Sequence, residues 1–429
     1  MTAIQHISAK GLAVWIVCTF FFLYECLLRT SLGTFQPVLM SDLQLNSVSF
    51  ALLSSTAYNL MFGPMQIPIG FITERFGLKY TLLFVVSLCS IACTAFALAP
   101  NYQMAFLARM FMGIGSSFGF LCLLVAIYDW IPKRNIAFFI GLSQFIATLG
   151  PMLSAGPLVS FSESASISWR EVFLFITIAG VIIAALVFLV LTNNKQSNEK
   201  NIILNLPSRA SNSFRQVVRE PQIWYIAIFS ACVFFTLEYL SENESKTFLM
   251  QKGFSKHFAS YMVTAGWLGY AFGCAILGYI SDRMRRRKTL LVVCAFSNIL
   301  AITGIVYFPL GEALTSVCFI LLGVGASGQS IGFAIIAEHC MEKSRTLGLG
   351  LNNTMIVLFN AALPPLIGIM LSQKSPGLST LVTYKYAFLV MVFLAVIAVI
   401  FSCFYIKETF CKSMRENTPL SHPKYLLKH

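Results

Sequence analysis

Gly70-Phe71-Ile72-Thr73-Glu74-Arg75-Phe76-Gly77-Leu78-Lys79 is a short polar turn set between two apolar runs, each long enough to cross a bilayer. Later in the chain Gly278-Tyr279-Ile280-Ser281-Asp282-Arg283-Met284-Arg285-Arg286-Arg287-Lys288 repeats the plan. A Gly closes one apolar run, and an acid, an Arg and further bases precede the next. A charge cluster recurring at one phase of a hydropathy pattern marks an internal duplication, which in a membrane chain means two related bundles.

Working outward, the 429 residues are 57% hydrophobic and only 11% charged, too apolar for a soluble domain. Runs of spanning length fall near 12–39, 48–72, 79–99, 103–128, 136–161 and 170–192, and again near 222–242, 257–281, 289–308, 313–338, 346–372 and 385–407. The expected fold is therefore all-α: twelve transmembrane helices in two pseudo-symmetric bundles of six. Residues 1–192 form the first bundle, 193–221 a linker, 222–407 the second bundle and 408–429 a tail. Pro364-Pro365 is expected to break the eleventh helix. The first run carries Glu25 and Arg29 and is too long for a signal-peptide core, so it is read as retained.

The net charge of +13 does not point to nucleic acid, because the bases alternate by loop. With the N-terminus inside, the inner segments hold 22 Lys and Arg and the outer ones 6, while Arg29 and Arg109 lie within spans. The positive-inside rule then places both termini, the linker and the tail in the cytoplasm, with a bacterial inner membrane as the expected location. The twelve Cys include no Cys-x-x-Cys pair and lie mostly in apolar runs, so neither disulfides nor metal ligands are expected. No Gly-x-x-x-x-Gly-Lys-Ser/Thr loop is present and no His lies mid-span beside a Cys or acid. No cofactor and no catalytic residue is expected, and the chain is not read as an enzyme.

Charged side chains at bilayer depth are costly and mark pathways. Aligning the first and seventh helices sets Phe22-Leu23-Tyr24-Glu25-Cys26-Leu27-Leu28-Arg29 over Phe235-Thr236-Leu237-Glu238-Tyr239-Leu240-Ser241-Glu242. Glu25 matches Glu238, and Arg29 matches Glu242. If the halves are related about the membrane normal, two carboxylates flank one central cavity, and Arg29 shares the Glu25 face four residues along. Arg29 is the candidate holder of an anionic substrate group, since a guanidinium forks onto carboxylate or phosphate. Glu25 and Glu238 are the candidate proton carriers. Burial favours their neutral form and Arg29 the charged one, so substrate competing for Arg29 would let an acid take a proton. The alternative is a structural Glu25–Arg29 pair within one helix.

Arg109, Gly113, Gly150 and Pro151 are read as structural, the glycines as close-packing faces. Tyr58, Asn59, Gln144, Gln329, Asn352 and Asn353 are candidate substrate contacts. In the two loop copies Gly70, Glu74, Arg75, Gly77, Lys79, Gly278, Asp282, Arg283 and Arg286 form a candidate gate, in which Glu74 or Asp282 latches onto the opposite bundle. An acid at the same place in both copies is not needed for orientation alone.

With these features the chain resembles the major facilitator superfamily over nearly its whole length. The resemblance rests on the six-plus-six pattern, the G-x-x-x-D/E-R-x-G-x-K loop at Gly70 to Lys79 and its degenerate copy, Arg109 with Gly113, and Gly150-Pro151. It implies that Glu74, Arg75, Asp282 and Arg283 stabilise an outward-open state. Tyr24, Arg29 and Pro37 look more like proton-coupled uptake permeases for small organic anions. The implied function is secondary active uptake of a small polar, anionic metabolite with protons by alternating access, in a monomer within the lipid bilayer and without nucleic-acid partners. The competing readings are proton-driven export of a siderophore or drug, and a non-transporting nutrient sensor on the same fold.

Overall fold

A computed structural model describes residues 8–66, 68–132, 135–192, 215, 217–340, 344–373 and 379–411. The linker expected at 193–221 and the tail expected at 408–429 fall largely outside them. Among the described residues the chain is helical without strands.

Among the described residues, ten helices are long and apolar enough to cross a membrane. In the first half these are Ala9–Thr34, Arg75–Ala97, Tyr102–Trp130 and Trp169–Val190. In the second half they are Pro221–Glu242, Lys256–Met284, Lys288–Tyr307, Glu312–His339, Leu347–Ser372 and Thr380–Tyr405. Phe138–Ser154 and Gly156–Ser164 make an eleventh, the fifth in chain order, bent by 44° between them. The second span completes the twelve in pieces: Ser47–Ala51, a π-helical turn Leu52–Thr56, Ala57–Met65, and the start of Pro68–Ala97.

Local chemistry explains the breaks. Gly77 has φ 78° and ψ 159°, a conformation that costs a side-chain residue heavily, and it is where the second span turns into the third. Pro64 and Pro68 remove two backbone donors from the second span. The fourth span pauses between Tyr102–Ser116 and Gly119–Trp130, and the tenth pauses at the matching place between Glu312–Ala326 and Gly328–His339. The expected break at Pro364-Pro365 is not found: Arg345–Ser372 runs through both prolines as one helix. Neighbouring helices can absorb such freed groups in membrane proteins.

Each half has its own core. One buried cluster runs from Val14 to Leu191, and the other takes in the second half, with only Ala155 contributed by the first. Large apolar side chains such as Phe84, Leu189 and Phe404 are exposed, as a lipid-facing surface requires.

Candidate functional site

The two halves meet where the second span packs on the eleventh, the fifth on the eighth, and the first crosses the seventh. A Cβ on Gly33 would lie 2.2 Å from the Ser241 carbonyl oxygen, so only Gly permits this approach. The crossing lies at the end of the bundle opposite the two basic loops. One turn before it, Arg29 projects from the first span onto the seventh. Its Nε lies 2.8 Å from Glu238 Oε1, and Nη2 donates to Glu238 Oε2 at 3.1 Å. Nε also lies 3.8 Å from Oε1 of Glu242, one turn further along the seventh span. Both acids are 1% exposed, while the Arg29 side chain is 18% exposed. One guanidinium thus sits between two buried carboxylates of the other half.

Glu25 goes elsewhere. Its Oε2 accepts from the Gly119 backbone N–H at 3.1 Å, inside the first half. Gly119 opens the second segment of the fourth span, where backbone donors lack helical partners and the helix dipole favours an acid. The space exists because a Cβ there would lie 2.0 Å from the Glu25 carboxylate. One expectation and its alternative are both set aside. Glu25 does not flank a cavity opposite Glu238, and the ion pair of Arg29 crosses between halves instead of closing within one helix.

Arg109 is fully buried and tied to backbone. Its Nη1 donates to Leu28 O at 2.8 Å, Nη2 to Arg29 O at 2.6 Å and to Ser54 O at 2.9 Å, and its guanidinium lies 4.6 Å from the Tyr58 ring centroid. Arg109 therefore clasps the main chain of Arg29 to the π-helical turn of the second span. That turn faces the seventh span. Ser55 Oγ donates to Glu242 Oε2 at 2.8 Å, Ser54 Oγ to Asn243 Oδ1 at 2.7 Å, and Asn243 Nδ2 to Ser55 Oγ at 2.9 Å.

Further bonds seal the same end. Lys246 Nζ donates to Thr34 O, Thr247 Oγ1 to Gln36 Oε1 at 2.8 Å, and Gly156 N to Thr264 Oγ1 at 3.0 Å. At the rim Glu163 pairs with Lys256 at 2.5 Å and His257 at 2.9 Å. Burial and the nearby Lys256 charge lower the pKa of the Lys246 ammonium to about 7.

The candidate substrate contacts are scattered. Tyr58 and Asn59 are buried in packing, Asn59 donating to Ser55 O at 3.0 Å. Gln144 is exposed on the fifth span, and Gln329 Oε1 accepts from Tyr270 Oη at 3.1 Å. Asn353 is half-buried, whereas Asn352 is fully buried with both side-chain polar atoms unpaired. A Cβ on Gly113 would strike Tyr58 O at 2.3 Å and one on Gly150 Leu23 O at 2.7 Å, so both glycines seat spans, with Pro151 inside the helix Ile136–Ser154.

At the basic end the described partners of Asp282 lie in its own half, in a chain sealed at the other end, whereas the latch is expected of the outward-open state. Asp282 pairs with Arg287 at 2.7 Å, and Arg287 also reaches Glu338 at 3.0 Å, all in the second half. The acid follows the nearest fixed cation. Arg283 donates to Tyr279 Oη of its own helix at 3.2 Å, Arg286 is exposed, and a Cβ on Gly278 would meet open space. In the first copy Gly70 is helical, Arg75 is exposed over the Phe76 ring and Lys79 donates to Phe188 O at 2.7 Å. The Glu74 side chain lies outside the described residues.

The sequence reading passed over Glu242, Ser54, Ser55 and Asn243. The signal was in the alignment of spans, which set Glu242 over Arg29, while the serines carry no periodic mark.

Two six-span bundles, joined across a buried Arg–Glu cluster and sealed by hydrogen bonds at one end, define a two-half membrane transporter. The Major Facilitator Superfamily profile matches residues 16–311 and 245–423, and the chain belongs to that family, whose members are transporters and not enzymes. It is 25% identical to the hexuronate transporter of Bacillus subtilis (strain 168), over 72% of this chain and 76% of that protein. It is 22% identical to the gentisate transporter of Corynebacterium glutamicum (strain ATCC 13032), over 81% and 78% of the two chains. The crystal structure of a D-xylose-proton symporter shares the fold, with a TM-score of 0.77, 16% identity and coverage of 94% and 99%.

Proposed function

We propose that this transporter takes up a small organic anion together with protons by alternating access. The single observation behind the reading is Arg29, a partly exposed guanidinium held between Glu238 and Glu242 at the contact of the halves. A substrate carboxylate has the charge and fork geometry of Glu238 and competes for the same donors. Glu238, displaced into a buried setting without its cation, then accepts a proton from water. Similarity to transporters named for hexuronate and gentisate supports an anionic substrate.

The charges support the proton. Arg29 and Arg109 stand against Glu25, Glu238 and Glu242, which leaves one carboxylate in excess when all five are ionised. Buried unpaired charge is strongly disfavoured and a substrate carboxylate adds to this excess, so binding of the anion favours a proton on the cluster. In this reading the sealed end faces outward and the basic end and both termini face the cytoplasm, as the distribution of Lys and Arg favours. The transporter acts as a monomer in a bacterial inner membrane.

The test is accumulation of labelled organic anions in proteoliposomes under an imposed pH gradient. Uptake of at least one anion against its gradient, abolished by a protonophore, is expected. Movement only out of the compartment held at the cytoplasmic pH, or no dependence on the proton gradient, would overturn the reading.

A further inference from the structure

The sealed end and the anion site share one side chain. Glu242 Oε2 accepts from Ser55 of the second span, while its Oε1 is buried, accepts no hydrogen bond and lies 3.8 Å from Arg29 Nε. One oxygen holds the seal and the other faces the anion site.

From this geometry we infer that Glu242 is a positioning residue that links the charge state of the Arg29 site to opening of the sealed end. The inference deepens the transport reading above, because it assigns the gate that the reading requires. As a carboxylate, Glu242 is held by Arg29 from one side and by Ser55 from the other, and Ser55 and Ser54 hold Asn243. A proton taken from water onto Oε1 removes the charge that both neighbours bind. No covalent bond other than O–H forms, and the proton returns to water when the seal closes. A hydrogen bond to a charged acceptor is about twice as strong as one to a neutral acceptor, so the second span loosens from the seventh when Glu242 is neutral.

The other end of the seal is anchored where it can respond. Ser54 and Ser55 lie in the π-helical turn Leu52–Thr56, a widened turn whose Ser54 carbonyl is already drawn to Arg109. Arg109 also holds the Arg29 carbonyl, so the turn and the anion site move as one piece. The charged and titratable groups around Glu242 are Arg29 of the first span, Arg109 of the fourth and Glu238 of its own helix. Glu244 with Tyr384, Lys246, and Glu163 with Lys256 and His257 lie further along the same end.

Hydrogen exchange of the purified full chain, without substrate, tests this. Exchange is followed in 52–56 and 241–246 at pH 8 and pH 5.5, with labelling times matched for intrinsic rate. The wild type is expected to lose protection about tenfold on acidification, the factor for one hydrogen bond of about 1.4 kcal/mol. Glu242→Gln is expected to be open at both pH values and flat between them. Ser55→Ala is expected to be partly open at pH 8 and to open less than the wild type on acidification, since only the Arg29 pair then responds to the acid. Every other titrating group is present in both wild type and Glu242→Gln, so the difference between their profiles belongs to Glu242. Wild-type protection and pH response in Glu242→Gln would overturn the inference. If Glu242→Gln fails to fold, Glu242→Asp decides: it keeps the charge but withdraws from Ser55, so reduced protection with a surviving pH response is expected, and unchanged protection overturns it. The readout needs no transport, so a failed uptake assay leaves it standing and the reverse also holds.

Discussion

Glu25 and Glu238 occupy the same place in two related helices, yet their surroundings differ. Glu25 turns into its own half and accepts from the Gly119 backbone, whereas Glu238 turns out of its half and binds Arg29 of the other. The second half has no Gly at the matching place, since aligning Gly113, Gly115 and Ser117 with Gly323, Gly325 and Ser327 sets Gln329 over Gly119. Duplication supplies equivalent positions, and packing around each copy decides which faces the partner. One acid is therefore built into a bundle and the other into the contact between bundles.

The largest effect should come from removing the cation the halves share. Arg29→Met leaves Glu238 and Glu242 buried without it and should destabilise by about 3–5 kcal/mol, read as a lower thermal midpoint. A double-mutant cycle sharpens the comparison: Arg29 with Glu238→Gln should show a coupling of about 1–3 kcal/mol, and Arg29 with Glu25→Gln less than about 0.5 kcal/mol. Equal couplings would erase the distinction between the two acids.

Next in size are the glycines beside each acid. Gly33→Ala and Gly119→Ala should each cost about 1–3 kcal/mol through overpacking. Only Gly33→Ala should also expose the sealed end, because Gly33 packs on the other half and Gly119 on Glu25. Limited proteolysis or hydrogen exchange at 241–246 would separate the two. Arg29→Lys should weaken anion binding about 10-fold or more, measured by titration calorimetry, since it keeps the charge and loses the planar fork.

The pH dependence of stability is a smaller, separate signal. Lys246 has a folded pKa near 7 against 10.5 ordinarily, because burial opposes its charge. Between these values the folded chain binds fewer protons than the unfolded one, so stability should rise with pH from about 7 upward and fall away toward 7. Lys246→Met should flatten that rise in a thermal melt. Glu163→Gln, at the exposed rim pair, should change stability by less than about 1 kcal/mol.

Much of this architecture was legible in hydropathy, because a spanning helix must be long and apolar whatever its neighbours are. Gly77 and the paired loops marked the turns between spans for the same local reason. The site was legible only as positions. Aligning the first and seventh spans brought Arg29, Glu25 and Glu238 forward, but helical spacing alone does not say which neighbour a side chain meets. Glu25 depends on a break in the fourth span that its own helix does not reveal, and Glu242 was hidden by the polar stretch that follows it. Asp282 was legible as the acid of the repeated loop, but which of the bases around it the acid meets was not, and it pairs with Arg287.

The central claim is that a substrate anion replaces Glu238 on Arg29 and that the freed acid takes a proton. Calorimetric titration of the purified transporter with each of a panel of small organic anions, repeated in buffers of different ionisation enthalpy, counts protons exchanged on binding. Net proton uptake in the wild type, lost in Glu238→Gln, is the predicted result. Anion binding with no net proton exchange in the wild type would contradict it.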